Sequence, residues 1–173
     1  MTGAARRAAS ASALVGGLLA ASLAAAQIVG CPTGTRPGRT STPTGRYEWC
    51  ERPAARAPVR HGPLVGVHAN GRRSLEVNFV DGTPRGPIRA WYESGEVSAS
   101  GETRPDNGVL TLRDERGRRR AQIDVRDREI VAQAWDEQGR AEPYDRTRLA
   151  RVMPANRDLL FIMSLWAAGI GIP

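Results

Sequence analysis

Four glycines constrain this 173-residue chain more than any other feature: Gly71, Gly95, Gly117 and Gly139 follow one another at intervals of 24, 22 and 22 residues. Nine residues before each stand Gly62, Gly86, Gly108 and, breaking the pattern, Ile130. Two residues further on come Leu64, Ile88, Leu110 and Ala132, and five further on Val67, Trp91, Arg113 and Trp135. Self-similarity at a period of roughly 20–50 residues marks a repeat architecture. A unit this short cannot bury its own apolar face, so its stability comes from stacking on its neighbours.

Each unit carries the chemistry of a hairpin. Asn70-Gly71 and Ser94-Gly95 are turn dipeptides, in which glycine supplies a positive φ without steric cost. After the turns, apolar and polar residues alternate. Leu75, Val77 and Phe79 sit on one face with Glu76 and Asn78 on the other, and Ala121, Ile123 and Val125 alternate with Gln122 and Asp124. A period of two means half-buried strands. Second turns at Asp81-Gly82 and Asp106-Asn107-Gly108 join the units. These signals predict an all-β chain, an antiparallel meander of repeated β-hairpins in a single sheet of about seven strands. The repeat region spans residues 61–143, as units 61–85, 86–107, 108–129 and 130–143. Nineteen Gly, twelve Pro and 5% aromatic residues fit that reading and argue against a helical bundle or a large α/β enzyme.

The two ends read differently. Residues 1–26 have the form of an export signal, disordered in the folded protein: Arg6 and Arg7, an apolar run from Ala13 to Ala26, then Ala24-Ala25-Ala26 as a cleavage site leaving Gln27 first. That run of about 14 residues is shorter than the ~20 a helix needs to span a bilayer. All 25 basic residues are arginine, and removal of the first two lowers the formal charge from +7 to +5 (23 Arg against 18 acids). A Pro/Gly/Arg-rich segment follows at 27–60 and contains both cysteines, Cys31 and Cys50. Two cysteines in an exported chain usually pair. The sequence Ile28-Val29-Gly30-Cys31 also has the form of a lipobox, which would place lipid on Cys31 instead. The C-terminal extension, 144–173, contains an apolar stretch, Leu159 to Ala168, that Asn156 or Asp158 would cap as a short helix with Gly169 as its stop. Such a helix would pack on the domain or cover a sheet edge, or residues 159–173 would touch a membrane peripherally.

Gly86-Pro-Ile-Arg-Ala-Trp91-Tyr92-Glu-Ser-Gly95 resembles the MORN repeat, whose pattern is Gly-x-φ-x-x-Trp-Tyr-x-x-Gly. His61 to Gly71 and the unit ending Trp135-Asp-Glu-Gln-Gly139 match it in part. Together with Cys31-Pro32-Thr33-Gly34-Thr35 and Trp49-Cys50-Glu51, the pattern is similar to a bacterial, exported MORN-variant group described as antitoxin-like. The resemblance covers roughly residues 31–143 and implies a MORN-like sheet. Arg113 in place of the aromatic and Ile130 in place of glycine make the third and fourth units degenerate.

The inventory of reactive groups is short. His61 and His68 are the only histidines, no cysteine or histidine spacing completes a metal site, and no nucleophile elbow or phosphate-binding loop occurs. Neither a catalytic set nor a cofactor is therefore expected. Arg113, Arg118, Arg119 and Arg120 form a basic cluster near Gly117, but acids surround it and no aromatic residue is interleaved to stack bases, so nucleic acid is not expected. With Trp91, Tyr92 and Trp135 they make up the candidate binding surface, for a protein partner or for anionic envelope lipid or glycan. The sequence thus predicts a non-enzymatic exported protein of the periplasm or cell envelope, a binding or scaffolding module. The alternatives are an antitoxin or immunity protein neutralising a toxin, and a lipid-anchored protein that binds anionic lipid.

Overall fold

The computed structural model describes residues 30–127 and 129–145. The segment 1–26 expected to be an export signal and the helix expected over 159–168 lie outside them. Within them the chain is a single antiparallel meander of ten strands in sequence order. The strands are β1 (Arg36–Thr42), β2 (Gly45–Arg52), β3 (Val59–His68), β4 (Arg73–Val80) and β5 (Thr83–Trp91). They continue with β6 (Val97–Thr103), β7 (Asn107–Arg113), β8 (Arg119–Arg126), β9 (Glu129–Trp135) and β10 (Ala141–Pro143).

The expected count of seven is corrected to ten. The Pro/Gly/Arg-rich segment is not a loop but contributes the β1–β2 hairpin ahead of the repeats. Its first strand, Arg-Pro-Gly-Arg-Thr-Ser-Thr, has no apolar alternation because nearly all of it faces solvent. Asn107 and Gly108 belong to β7 rather than to a turn. The glycines nine residues upstream also behave unevenly. Gly62 and Gly86 have φ of 106° and 88° and sit where three residues of one strand oppose one of its neighbour: His61 to Pro63 against Cys50, and Arg85 to Pro87 against Asn78. Gly108 pairs regularly with Thr103 and Val125, as Ile130 does with Val125, so the bulge is already lost in the third unit although its glycine remains.

Register stacks the apolar residues into rows across the sheet. One row runs Tyr47, Gly66, Leu75, Ala90, Ala99, Leu112, Ala121, Ala134; the next runs Gly38, Trp49, Leu64, Val77, Ile88, Gly101, Leu110, Ile123, Ala132. Large and small residues are interspersed. The Trp49 ring lies over Gly38 and the Tyr47 ring over Gly66, where any β-carbon would collide with the ring. Leu75, Phe79, Ile88 and Leu110 are each 1% exposed. Burying a side chain of that size contributes about 1.5–3 kcal/mol, so this face is the main source of stability. The sheet is the only layer among the described residues, and the half-buried rings of Tyr47, Trp49 and Tyr144 pack against the cluster.

The opposite face is polar except at its N-terminal end. There Cys50 bonds to Cys31, and the pair packs on Val65 and Val67. Pro32 comes against Gly62, so the disulfide holds the chain before β1 down on the first bulge. A thiol engaged in this bond is not free to carry lipid. Closing a loop of this length contributes about 3 kcal/mol in the chain-entropy account.

Candidate functional site

The four aligned glycines occupy equivalent turns, with φ of 84°, 97°, 75° and 79° at Gly71, Gly95, Gly117 and Gly139. Each glycine N–H donates to the carbonyl three residues earlier, at His68, Tyr92, Asp114 and Asp136. The N–H of that earlier residue donates to the carbonyl four residues onward, at Arg72, Glu96, Arg118 and Arg140. One backbone template is thus built four times with different side chains at the position three before the glycine.

Those side chains solve two different problems. His68 Nε2 donates to the Trp91 carbonyl at 2.8 Å, and Tyr92 Oη donates to the Arg113 carbonyl at 2.7 Å. A carbonyl only accepts, so the Nε2 tautomer of His68 carries the proton there. Each bond ties one repeat to the residue just before the turn of the next. Asp114 and Asp136 turn inward instead. Asp114 Oδ1 accepts the Arg116 and Arg118 N–H groups, and Asp136 Oδ1 those of Gln138 and Arg140. The tie from the third unit to the fourth then falls to Arg120, whose Nε donates to the Trp135 carbonyl at 3.1 Å. Arg120 stands six residues after Asp114, where the first two units have buried serines, Ser74 and Ser98. A long side chain at one position goes with a short one at the other. Arg72 and Arg118 add a second tie, donating to the carbonyls of Glu93 and Ser94 and of Glu137.

The ionisable groups register this arrangement. Burial pushes the Tyr92 phenol up to about 12. Burial also raises Asp114, but the Arg118 side chain and the turn N–H groups outweigh it and hold the carboxyl below its ordinary value. Asp136 is held low by the Arg140 N–H first.

The candidate binding residues therefore separate. Tyr92 and Arg120, 4% and 5% exposed, are inside the ridge of turns and offer no surface. Arg118 is engaged by Asp114 and by the next turn. The polar ends of Tyr92 and Arg120 are consumed by bonds that hold the repeats together. Trp91, Arg113 and Trp135 take equivalent places in the register, paired with Val97, Arg119 and Ala141. They sit on alternate strands, hence about 10 Å apart. Arg113 donates to the Gly117 carbonyl, while Arg119 is exposed and lies over the Trp135 ring, 3.7 Å from its centre.

The polar face as a whole was not singled out by the sequence. Across it, Glu76 pairs with Arg73, Glu102 with Arg104 and Asp124 with Arg126, while Glu48 is buried. Arg39, Arg46 and Arg89 stand on the same face by register, exposed and outside any ion pair among the described residues. Glu129, at the β8–β9 turn, is likewise exposed and outside any ion pair among the described residues. Among the described residues no group of three or more His, Cys, Asp or Glu comes together that would hold a metal ion. His61 bonds Asp81, which Arg52 also holds, so both histidines secure turns. No family model matches the chain, and comparison with curated proteins and with solved structures returns no match.

Proposed function

We propose that this chain is a non-enzymatic exported protein of the cell envelope, built from MORN-like repeats, whose polar sheet face is a rigid platform for an acidic partner. The observation that carries the reading is the charge asymmetry of that face. Its central acids are neutralised in place, whereas Arg39, Arg46, Arg89 and Arg119 project without an ion-pair partner among the described residues. Unpaired guanidinium groups on a stiff surface attract carboxylates, phosphates and sulfates and place them bidentately. Rigidity comes from the inter-repeat bonds of His68, Tyr92 and Arg120, which leave the face little to reorganise on binding. Export is supported by the Cys31–Cys50 bond, since such bonds persist in oxidising compartments. Four turns of one geometry support the MORN-like reading.

Co-sedimentation of the purified chain with envelope fractions tests the platform. Arg89→Glu combined with Arg119→Glu is expected to lower the bound fraction at least tenfold and to flatten its dependence on salt. Equal binding by wild type and double variant would sink the reading. Intact mass of the natural product tests export: a chain beginning at Gln27 that gains two hydrogens on reduction is expected. A diacylglycerol increment on an N-terminal Cys31 would overturn it.

A further inference from the structure

The polar face is not uniform, and one hollow in it lies between the first two repeats. A trough of about 490 Å³ is lined by Pro63, Val65, Glu76, Asn78, Pro87 and Arg89. Pro63 and Pro87 directly follow the two bulge glycines, Gly62 and Gly86, so equivalent Gly-Pro steps of successive repeats form its two walls. The second bulge opens the sheet opposite Asn78, which is exposed between them. The walls stand on β3 and β5, two strands and thus about 10 Å apart, the width of one extended polypeptide with its side chains. Proline has no N–H, so neither wall residue offers a backbone donor, and recognition falls to side chains.

Two groups there are uncommitted. Glu76 lies directly across from Arg89 but is taken by Arg73, which leaves the Arg89 guanidinium exposed and without an ion-pair partner among the described residues. The Asn78 amide has no hydrogen-bond partner among the described residues. A guanidinium beside a primary amide, above a floor of valine and between proline walls, suits a carboxylate carried on a short aliphatic stem. No aromatic ring lines the trough, so a sugar has nothing to stack on. The next hollow along the face is a useful contrast. It is lined by Glu102, Arg104, Val109 and Arg126 and has no free cation, because Arg104 sits on Glu102 and Arg126 on Asp124.

We propose that the trough between Gly62-Pro63 and Gly86-Pro87 binds an extended acidic peptide, with one carboxylate on Arg89 and Asn78. This rests on the reading of the polar face as the binding face. The probe is a blocked octapeptide of alternating Glu and Val, titrated into the isotope-labelled chain and followed by NMR, with the Lys–Val peptide and a sulfated glycan fragment as controls. Saturable shifts of the Asn78 side-chain amide and the Arg89 Nε–H are expected with the Glu peptide alone. Arg89→Glu should weaken that binding at least tenfold, while Arg126→Glu, in the second hollow on the same face, leaves it unchanged. The trough proposal falls if Asn78 does not respond, or if Arg126→Glu weakens binding as much as Arg89→Glu. Shifts confined to Arg119 and Trp135, or tighter binding of the glycan, would sink it too while leaving the polar face as a platform.

Discussion

The first two repeat turns and the last two share a backbone and differ in what they spend their side chains on. His68 and Tyr92 reach forward to the next repeat, whereas Asp114 and Asp136 satisfy the N–H groups of their own turns. The contrast separates two tasks that a repeat protein must perform: forming each hairpin and docking it on the next. In the first half His68 and Tyr92 dock, helped by Asn70 and Arg72, and the turn N–H groups of Arg72 and Glu96 are met by the Asn70 and Ser94 side chains beside each glycine. In the second half aspartate shapes the turn and docking moves to Arg120 six residues on. The fourth unit keeps the aspartate but has Glu142 at the docking position, a side chain unable to donate when ionised. It has the chemistry of a terminal unit.

The largest effect should come from the residue that serves both tasks at once. The Asp114 carboxylate holds its own turn, pairs with Arg118, and lies 3.5 Å from Arg120, whose side chain is only 6% exposed. Asp114→Ala therefore leaves a nearly buried guanidinium with one carbonyl for company, and should cost about 2–4 kcal/mol in urea unfolding. Asp136→Ala removes a similar cap, but its cation, Arg140, is 76% exposed, so the loss should be distinctly smaller. Equal losses would show that the cap matters and the docking does not. The same carboxylate gives a signature in pH. Its folded pKa is below the unfolded one, so its contribution is complete above the ordinary carboxylate range near ~4 and is lost as pH falls through the lower, folded value. Wild type should lose stability across that acid window, and Asp114→Asn should lose less. Parallel acid profiles would contradict the assignment.

How much of this was legible in the sequence follows from the range of the interactions. The turn glycines and the alternation in Leu75 to Phe79 and Ala121 to Val125 are local signals, and the structure places them as the spacing implies. The first hairpin escaped because β1 has no apolar face of its own; its Gly38 is specified by a Trp49 ring eleven residues away. Tyr92 and Arg120 were misread as surface because their partners are carbonyls of the following repeat, which no side-chain pattern announces. One signal did exist. Aligning the repeats six residues past the key position gives Ser74, Ser98, Arg120 and Glu142, a series that changes from short to long just where His and Tyr give way to Asp.

Next in size is the backbone of the turn itself. Gly95 has φ of 97°, which a β-branched residue adopts only with strain, so Gly95→Val should destabilise by about 1–3 kcal/mol. The turn also sets register, and a one-residue slip would turn Ile88 and Ala90, both 1% exposed, to the wrong face. Gly139→Val meets the same φ penalty at 79°, but only the three residues of β10 depend on that turn. Its denaturant midpoint should therefore shift less. A larger shift at Gly139 would mean that the C-terminal hairpin anchors more of the sheet than its three pairs suggest.

The smallest effect isolates docking from turn formation. Tyr92→Phe keeps the ring in the core and removes only the hydroxyl that donates to the Arg113 carbonyl. Losing one hydrogen bond at a buried acceptor costs about 1 kcal/mol, with the turn at Gly95 intact. The later half of the molecule supplies a stricter test. If its solution is interchangeable with the earlier one, Tyr92→Asp combined with Ser98→Arg should regain part of what Tyr92→Asp alone loses. The new arginine would then reach the Arg113 carbonyl as Arg120 reaches that of Trp135. A double-mutant cycle gives the coupling directly. Simple additivity would show that the pairing of long and short side chains in the two halves is not a transferable docking device, and that Arg120 depends on Asp114 and the Trp135 environment alone.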